Sequence, residues 1–151
     1  MSFKKNYIKF DESIDFNFIS TVLSSGNYKS QVSSRYLNDY ILESVFQIQN
    51  VDAVFGDLLA QLNREYNKDN KKADLHIFYS MVQGTKSNTH RDPYGVHIVG
   101  GKGRTLYKVG SKEYIVEPGD LLHIPSGVLH TAIGLDPRII ISYAMRSIKG
   151  M

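Results

Sequence analysis

The chain has no cysteine and no tryptophan among its 151 residues, and only four prolines. Without cysteine there can be no disulfide, thiolate nucleophile, zinc knuckle or cysteine-held iron–sulfur cluster, so any metal has to be held by imidazole and carboxylate. Long apolar runs are also missing: nothing approaches the roughly 20 residues a membrane span needs, and the two lysines of MSFKKNYIKFDES are followed by no apolar core of a leader. A chain that fits a reducing compartment and lacks a span is expected in the cytoplasm. At this length it forms one ordinary domain.

Charge adds little by its sum, +3, and more by its distribution. Residues 1–74 carry 9 Lys/Arg against 10 Asp/Glu, whereas residues 75–151 carry 9 against 5. The basic residues of the second half are scattered singly. That suits an anionic small molecule better than a nucleic-acid track, which calls for a basic stripe.

Texture divides the chain near residue 74. In the first part YIKF (7–10) reads as an added strand, and DESIDFNFISTVLSSG (11–26) spaces Ile14, Phe18, Ile19 and Val22 as a helix ending at Gly26. Residues 27–38 read as a loop or irregular strand, residues 39–50 fit helix or strand, and residues 51–67 place Val54, Leu58, Leu59 and Leu62 on one helical stripe. After residue 74 come short β-rich runs at 75–82, 94–99, 104–109, 113–116, 120–124, 128–133 and 138–145, separated by Gly, Pro, Ser and Asp. Seven or so strands at this spacing predict a sandwich or barrel. The organisation expected is a helical elaboration, residues 1–74, packed on a β domain, residues 75–151, the two making one structural unit.

One stretch carries the chemistry. GTKSNTHRD (84–92) and GDLLHIPSGVLH (119–130) place His90 and Asp92 two residues apart and His130 another 38 residues on. Two His and one carboxylate in this order suit a divalent iron with open positions, and residues i and i+2 of a strand share a face. The remaining histidines, His76 and His123, read as structural, and His97 is left out of the metal set. The GKG of 101–103 is no phosphate loop, since no helix follows it.

The two halves of that stretch resemble the two cupin motifs: Gly84, five residues, His90, one residue, Asp92; then Gly119, five residues, Pro125, Gly127 and His130. The resemblance covers roughly residues 75–146 and implies a mainly β double-stranded β-helix, the cupin jelly roll, with N-terminal helices. Asp92 stands where many cupins have a second His, and Val96 and His97 stand where they have Glu. Both departures resemble the Fe(II)- and 2-oxoglutarate-dependent oxygenases, and GGKGRTLYKVG (100–110) with VEPGDLLHIPSGVLH (116–130) is similar to the JmjC-like ribosomal hydroxylases.

This resemblance implies that His90, Asp92 and His130 are catalytic metal ligands for Fe(II), with Zn or Ni as occupants after purification. It implies 2-oxoglutarate as an anionic cosubstrate, anchored by Arg138 with Ser142 on the same face. JmjC-like hydroxylases carry a Lys or Arg where this chain has Thr105, so Thr105 and Lys108 are the rival anchor, and Tyr107 and Tyr79 are candidate pocket walls. The substrate, a small molecule or a protein side chain, is left open, as is a homodimer contact through the N-terminal helices. The alternative is a metal cupin of other chemistry: a cosubstrate-independent dioxygenase, an isomerase or a sugar-binding module.

Overall fold

The computed structural model describes residues 2–10, 13–24, 30–32, 46–48, 51–80 and 89–146. Gly26, Gly84 and most of 27–45 lie outside the described residues, so the expectations placed on them find no counterpart here. In chain order the elements are β1 (Ser2–Lys4), α1 (Phe16–Ser24), β2 (Ser30–Val32), β3 (Phe46–Ile48), α2 (Gly56–Tyr66), β4 (Lys72–Ser80), β5 (Val96–Lys102), β6 (Thr105–Val109), β7 (Lys112–Val116), β8 (Leu121–Ile124), β9 (His130–Gly134) and β10 (Arg138–Arg146).

The strands form a seven-stranded sheet, β1-β8-β5-β10-β4-β3-β2, and a three-stranded one, β7-β6-β9. Its central strands are apolar on both faces because each face is covered. Along β10, Ile139, Ile141 and Tyr143 join Leu75, Ile77 and Tyr79 of β4 in the cluster under the helices, whereas Ile140 joins Ile98, Tyr107 and Leu122 between the sheets. This double burial is why RIIISYAM reads as a continuous apolar run and not as an alternating one.

Each of the two described helices supplies one buried stripe: Ile19 and Val22 from α1, Leu58 and Leu62 from α2. Helix α1 starts where the Asp15 carboxylate accepts the Phe18 N–H at 2.9 Å, a side-chain cap of the usual kind. It begins at Phe16, later than the 11–26 periodicity predicts.

The N-terminal part is more than helical. β1 pairs with β8, and β2 and β3 extend the large sheet beyond β4. The division expected at residue 74 falls inside β4. The strand expected at 7–10 is replaced by β1 at Ser2–Lys4, because Tyr7, Ile8 and Phe10 spend their apolar surface packing against the helical layer.

Candidate active site

Among the described residues, backbone and side-chain hydrogen bonds join the two motif halves. His90 and His130 exchange backbone bonds in both directions, at 3.0 and 2.9 Å, so segment 89–92 continues the small sheet past β9. Thr89 and Thr131 join hydroxyls beside that rung. On the other side the Gly127 N–H donates to the Asp92 carbonyl at 2.9 Å.

The motif glycines have separate tasks. Gly127 (φ +80) is the left-handed third residue of the turn closed by Val128 N–H on the Pro125 carbonyl, a place where L side chains are strained. Gly119 (φ +87) lies under the N-terminal segment, and a Cβ there would come within 2.5 Å of the Ile8 carbonyl.

These rungs bring His90, Asp92 and His130 together. One ligand atom from each lies within 4.8 Å of the others. Asp92 Oδ2 stands 3.7 Å from His90 Nε2 and 3.4 Å from His130 Nε2. His130 is buried, and its Nδ1 donates to the Val128 carbonyl at 3.0 Å, which fixes the tautomer and leaves the Nε2 lone pair toward Asp92. Two imidazoles and a carboxylate so oriented fit a divalent transition metal with open positions.

The triad opens on a cavity of about 170 Å³ whose walls include Phe78, Tyr107, Arg138, Ile140, Ser142 and His76. Arg138 is 3 % exposed and donates from Nε to Ser80 Oγ at 3.3 Å. Burial lowers its pKa from the ordinary guanidinium value, with Tyr107 acting the other way, and it remains a cation at any working pH. Among the described residues no carboxylate pairs with it, and a buried, unpaired cation is costly unless an anion completes it. Burial pushes the Tyr107 phenol up to about 12, so it stays a neutral donor.

Of the remaining residues weighed on sequence grounds, Ser142 and Tyr107 line this cavity and three do not. Tyr79 faces the helices, on the opposite side of β4 from Phe78, and packs in that core. Lys108 points to solvent, 4.0 Å from Glu113 on β7. Thr105 is fully buried on the inner side of β6 but is not part of the cavity wall. Arg104, its neighbour, is engaged in a two-point exposed pair with Asp136, at 2.9 and 3.1 Å. His76 is the wall residue that sequence reading set aside.

The fold and the site together define a cupin barrel with a His-Asp-His cluster at its mouth. Residues 77–137 match the family described as Cupin domain. Among solved structures the chain is similar to YcfD, a ribosomal oxygenase from Escherichia coli. The complex of that protein with cobalt and 2-oxoglutarate matches with a TM-score of 0.76 and 23% identity over 99% of this chain and 48% of that one. Its complex with cobalt and succinic acid gives 0.77 at 23%, with the same coverage. A further X-ray structure of the E. coli protein gives 0.78 at 22%, covering 99% and 50%. The chain therefore spans about half the length of these structures, and the likeness is one of fold. No curated protein matches the chain in sequence. No helix among the described residues is long and apolar enough to cross a membrane.

Proposed function

We propose that the protein is an Fe(II)- and 2-oxoglutarate-dependent oxygenase that hydroxylates a side chain presented by a polypeptide. One observation carries this: the His-Asp-His cluster and a buried arginine without a carboxylate partner among the described residues line the same small cavity. His90, Asp92 and His130 would hold the metal, and Arg138 would receive the distal carboxylate of the cosubstrate, for which a planar fork of donors is the matching geometry. Ser142 and the neutral Tyr107 phenol add donors on the same wall. When bound, iron and 2-oxoglutarate supply a two-electron oxidation: dioxygen hydroxylates one C–H bond while the oxo acid becomes succinate and carbon dioxide. The protein contributes position, charge balance and the exclusion of water by Phe78, Val96, Ile98 and Ile140.

The polypeptide substrate is supported by the likeness to a ribosomal oxygenase, and a substrate of that kind would put the work in the cytoplasm. Anaerobic protein given Fe(II) and 2-oxoglutarate is expected to develop a weak visible charge-transfer band and, on admission of air, to release succinate. Metal uptake with neither band nor succinate would move the protein to another cupin chemistry. No metal uptake at all would leave a binding module.

A further inference from the structure

We infer that Ser80 is a positioning residue for the cosubstrate anchor: by accepting the Nε–H of Arg138 it turns the Nη1/Nη2 fork toward the cavity, so that a carboxylate is met by the tip of the guanidinium and not along its Nε edge. The inference rests on the oxygenase reading and adds a residue that lies outside the cavity wall.

A guanidinium can grip a carboxylate at two points in two ways, with Nη1 and Nη2 or with Nε and one Nη. The register of β4 against β10 decides between them. Arg138 is the first residue of β10 and lies directly opposite Ser80, the last of β4. Residues directly opposite share a face of the sheet, so both side chains turn inward, yet Arg138 is part of the cavity wall and Ser80, fully buried, is not. The Nε–H donates to Ser80 Oγ at 3.3 Å, and that edge is therefore occupied by the protein itself. Among the described residues Nη1 and Nη2 make no hydrogen bond.

Placement along the barrel agrees. His130 opens β9, and Arg138 follows the turn that ends it. The strand between them runs four steps, roughly 13 Å, so the arginine stands at the far end of the cavity from the triad and reaches back along it. A side chain that reaches lengthwise presents its tip. Fixing it before any ligand arrives removes freedom that binding would otherwise have to remove, and a preorganised fork loses less per bond formed. Ser80 suits this task because it is short, fully buried and engaged elsewhere in the protein as well, which makes its oxygen a fixed point. A hydroxyl also orients the guanidinium without neutralising it. A carboxylate in its place would consume the charge that the ligand is to meet.

The test uses Zn(II)-loaded protein with 2-oxoglutarate as the probe, affinity read by calorimetry and the guanidinium by proton–nitrogen NMR, with zinc content and thermal melting recorded for each variant. The Arg138 Nε–H signal is identified by its loss in Arg138→Lys. Ser80→Ala removes the acceptor, so it should weaken 2-oxoglutarate binding about fivefold and speed exchange of the Nε–H with water, while zinc content stays that of the parent. Ser80→Thr keeps the hydroxyl and should recover both. In the parent, saturation with 2-oxoglutarate should shift the Nη signals and leave the Nε–H signal in place. This arm needs no substitution at Ser80, so it decides the geometry even where the alanine variant melts early. Parental affinity in Ser80→Ala, or an Nε–H signal that moves with the ligand while the Nη signals do not, would overturn the assignment and leave the oxygenase reading standing. Failure of the parent protein to bind 2-oxoglutarate would overturn both.

Discussion

Two pairs of histidine rings lie almost equally close in this molecule. His90 and His130 have their centroids 4.3 Å apart at 61°, and His97 and His123 are 4.4 Å apart at 17°. The first pair has Asp92 within 3.4 and 3.7 Å of its Nε2 atoms and a backbone carbonyl fixing one tautomer. The second faces the other way from β5 and β8, with Tyr66 tilted against His97 and Tyr143 meeting it edge-on, and neither nitrogen of His97 has a hydrogen-bond partner among the described residues. Proximity of imidazoles therefore does not make a metal site. The metal site proposed for the first pair rests on more: a carboxylate, ring nitrogens turned toward it and an open side, which the second pair lacks among the described residues.

The sharpest way to break this contrast is to remove the carboxylate. Asp92→Ala should lower metal affinity by at least about 100-fold, since it removes a ligand and not merely an outer partner. The His90→Ala/His130→Ala double variant should bind no stoichiometric cobalt, although His97 and His123 are intact. Elemental analysis after dialysis checks both. Full retention in the double variant would make the stacked pair a metal site and end the distinction.

How far this contrast was legible in the sequence differs between the pairs. The triad could be read because spacing within His-x-Asp and the Gly/Pro positions before His130 are local facts. His97 was awkward because it occupies the slot of a ligand, yet its neighbours Val96 and Ile98 face the cavity and parity sends it to the opposite face. The same ambiguity hid Tyr79 and His76: both faces of β4 are buried, so composition cannot say which side holds the site, and only the pairing with β10 decides it. The barrel strands were visible as β-branched runs between turn residues. Three-residue β1 was not, since its signal is the partner β8, 117 residues away in the pairing of Leu121 with Lys4.

Acid should expose the second pair next. Burial first, then His123 and Lys4, depress the His97 pKa from 6.5 to about 4. The unfolded chain takes up the proton near the ordinary value, so between pH 6.5 and 4 it binds protons that the native state refuses. Stability contributed by neutral His97 is intact above that window and declines as pH falls through it, by up to roughly 3 kcal/mol. Unfolding free energies from urea titration of the parent and His97→Leu at pH 7, 5.5 and 4 should diverge by up to that amount in favour of the variant. Parallel curves would mean that the ring is solvated or protonated in the native state. The measurement belongs in the His90→Ala background, where protection by added cobalt would again point to a second metal site.

The smallest effect separates burial from function on the cavity side. Thr105 is fully buried and its hydroxyl has no hydrogen-bond partner among the described residues, and the residue stands where the JmjC-like resemblance would put a cation. An unsatisfied hydroxyl in an apolar setting carries its desolvation cost without return, so an isosteric methyl should be at least as good. Thr105→Val is expected to raise stability by about 1 kcal/mol and to leave 2-oxoglutarate binding to the cobalt protein unchanged. A gain in stability with a tenfold loss of binding would place the hydroxyl on the cosubstrate and return that strand to the site. A loss of both would show that the oxygen is bonded in the folded protein. Parental binding keeps the anchor on β10 with Arg138, and makes the inner face of β6 beyond Tyr107 core and not site.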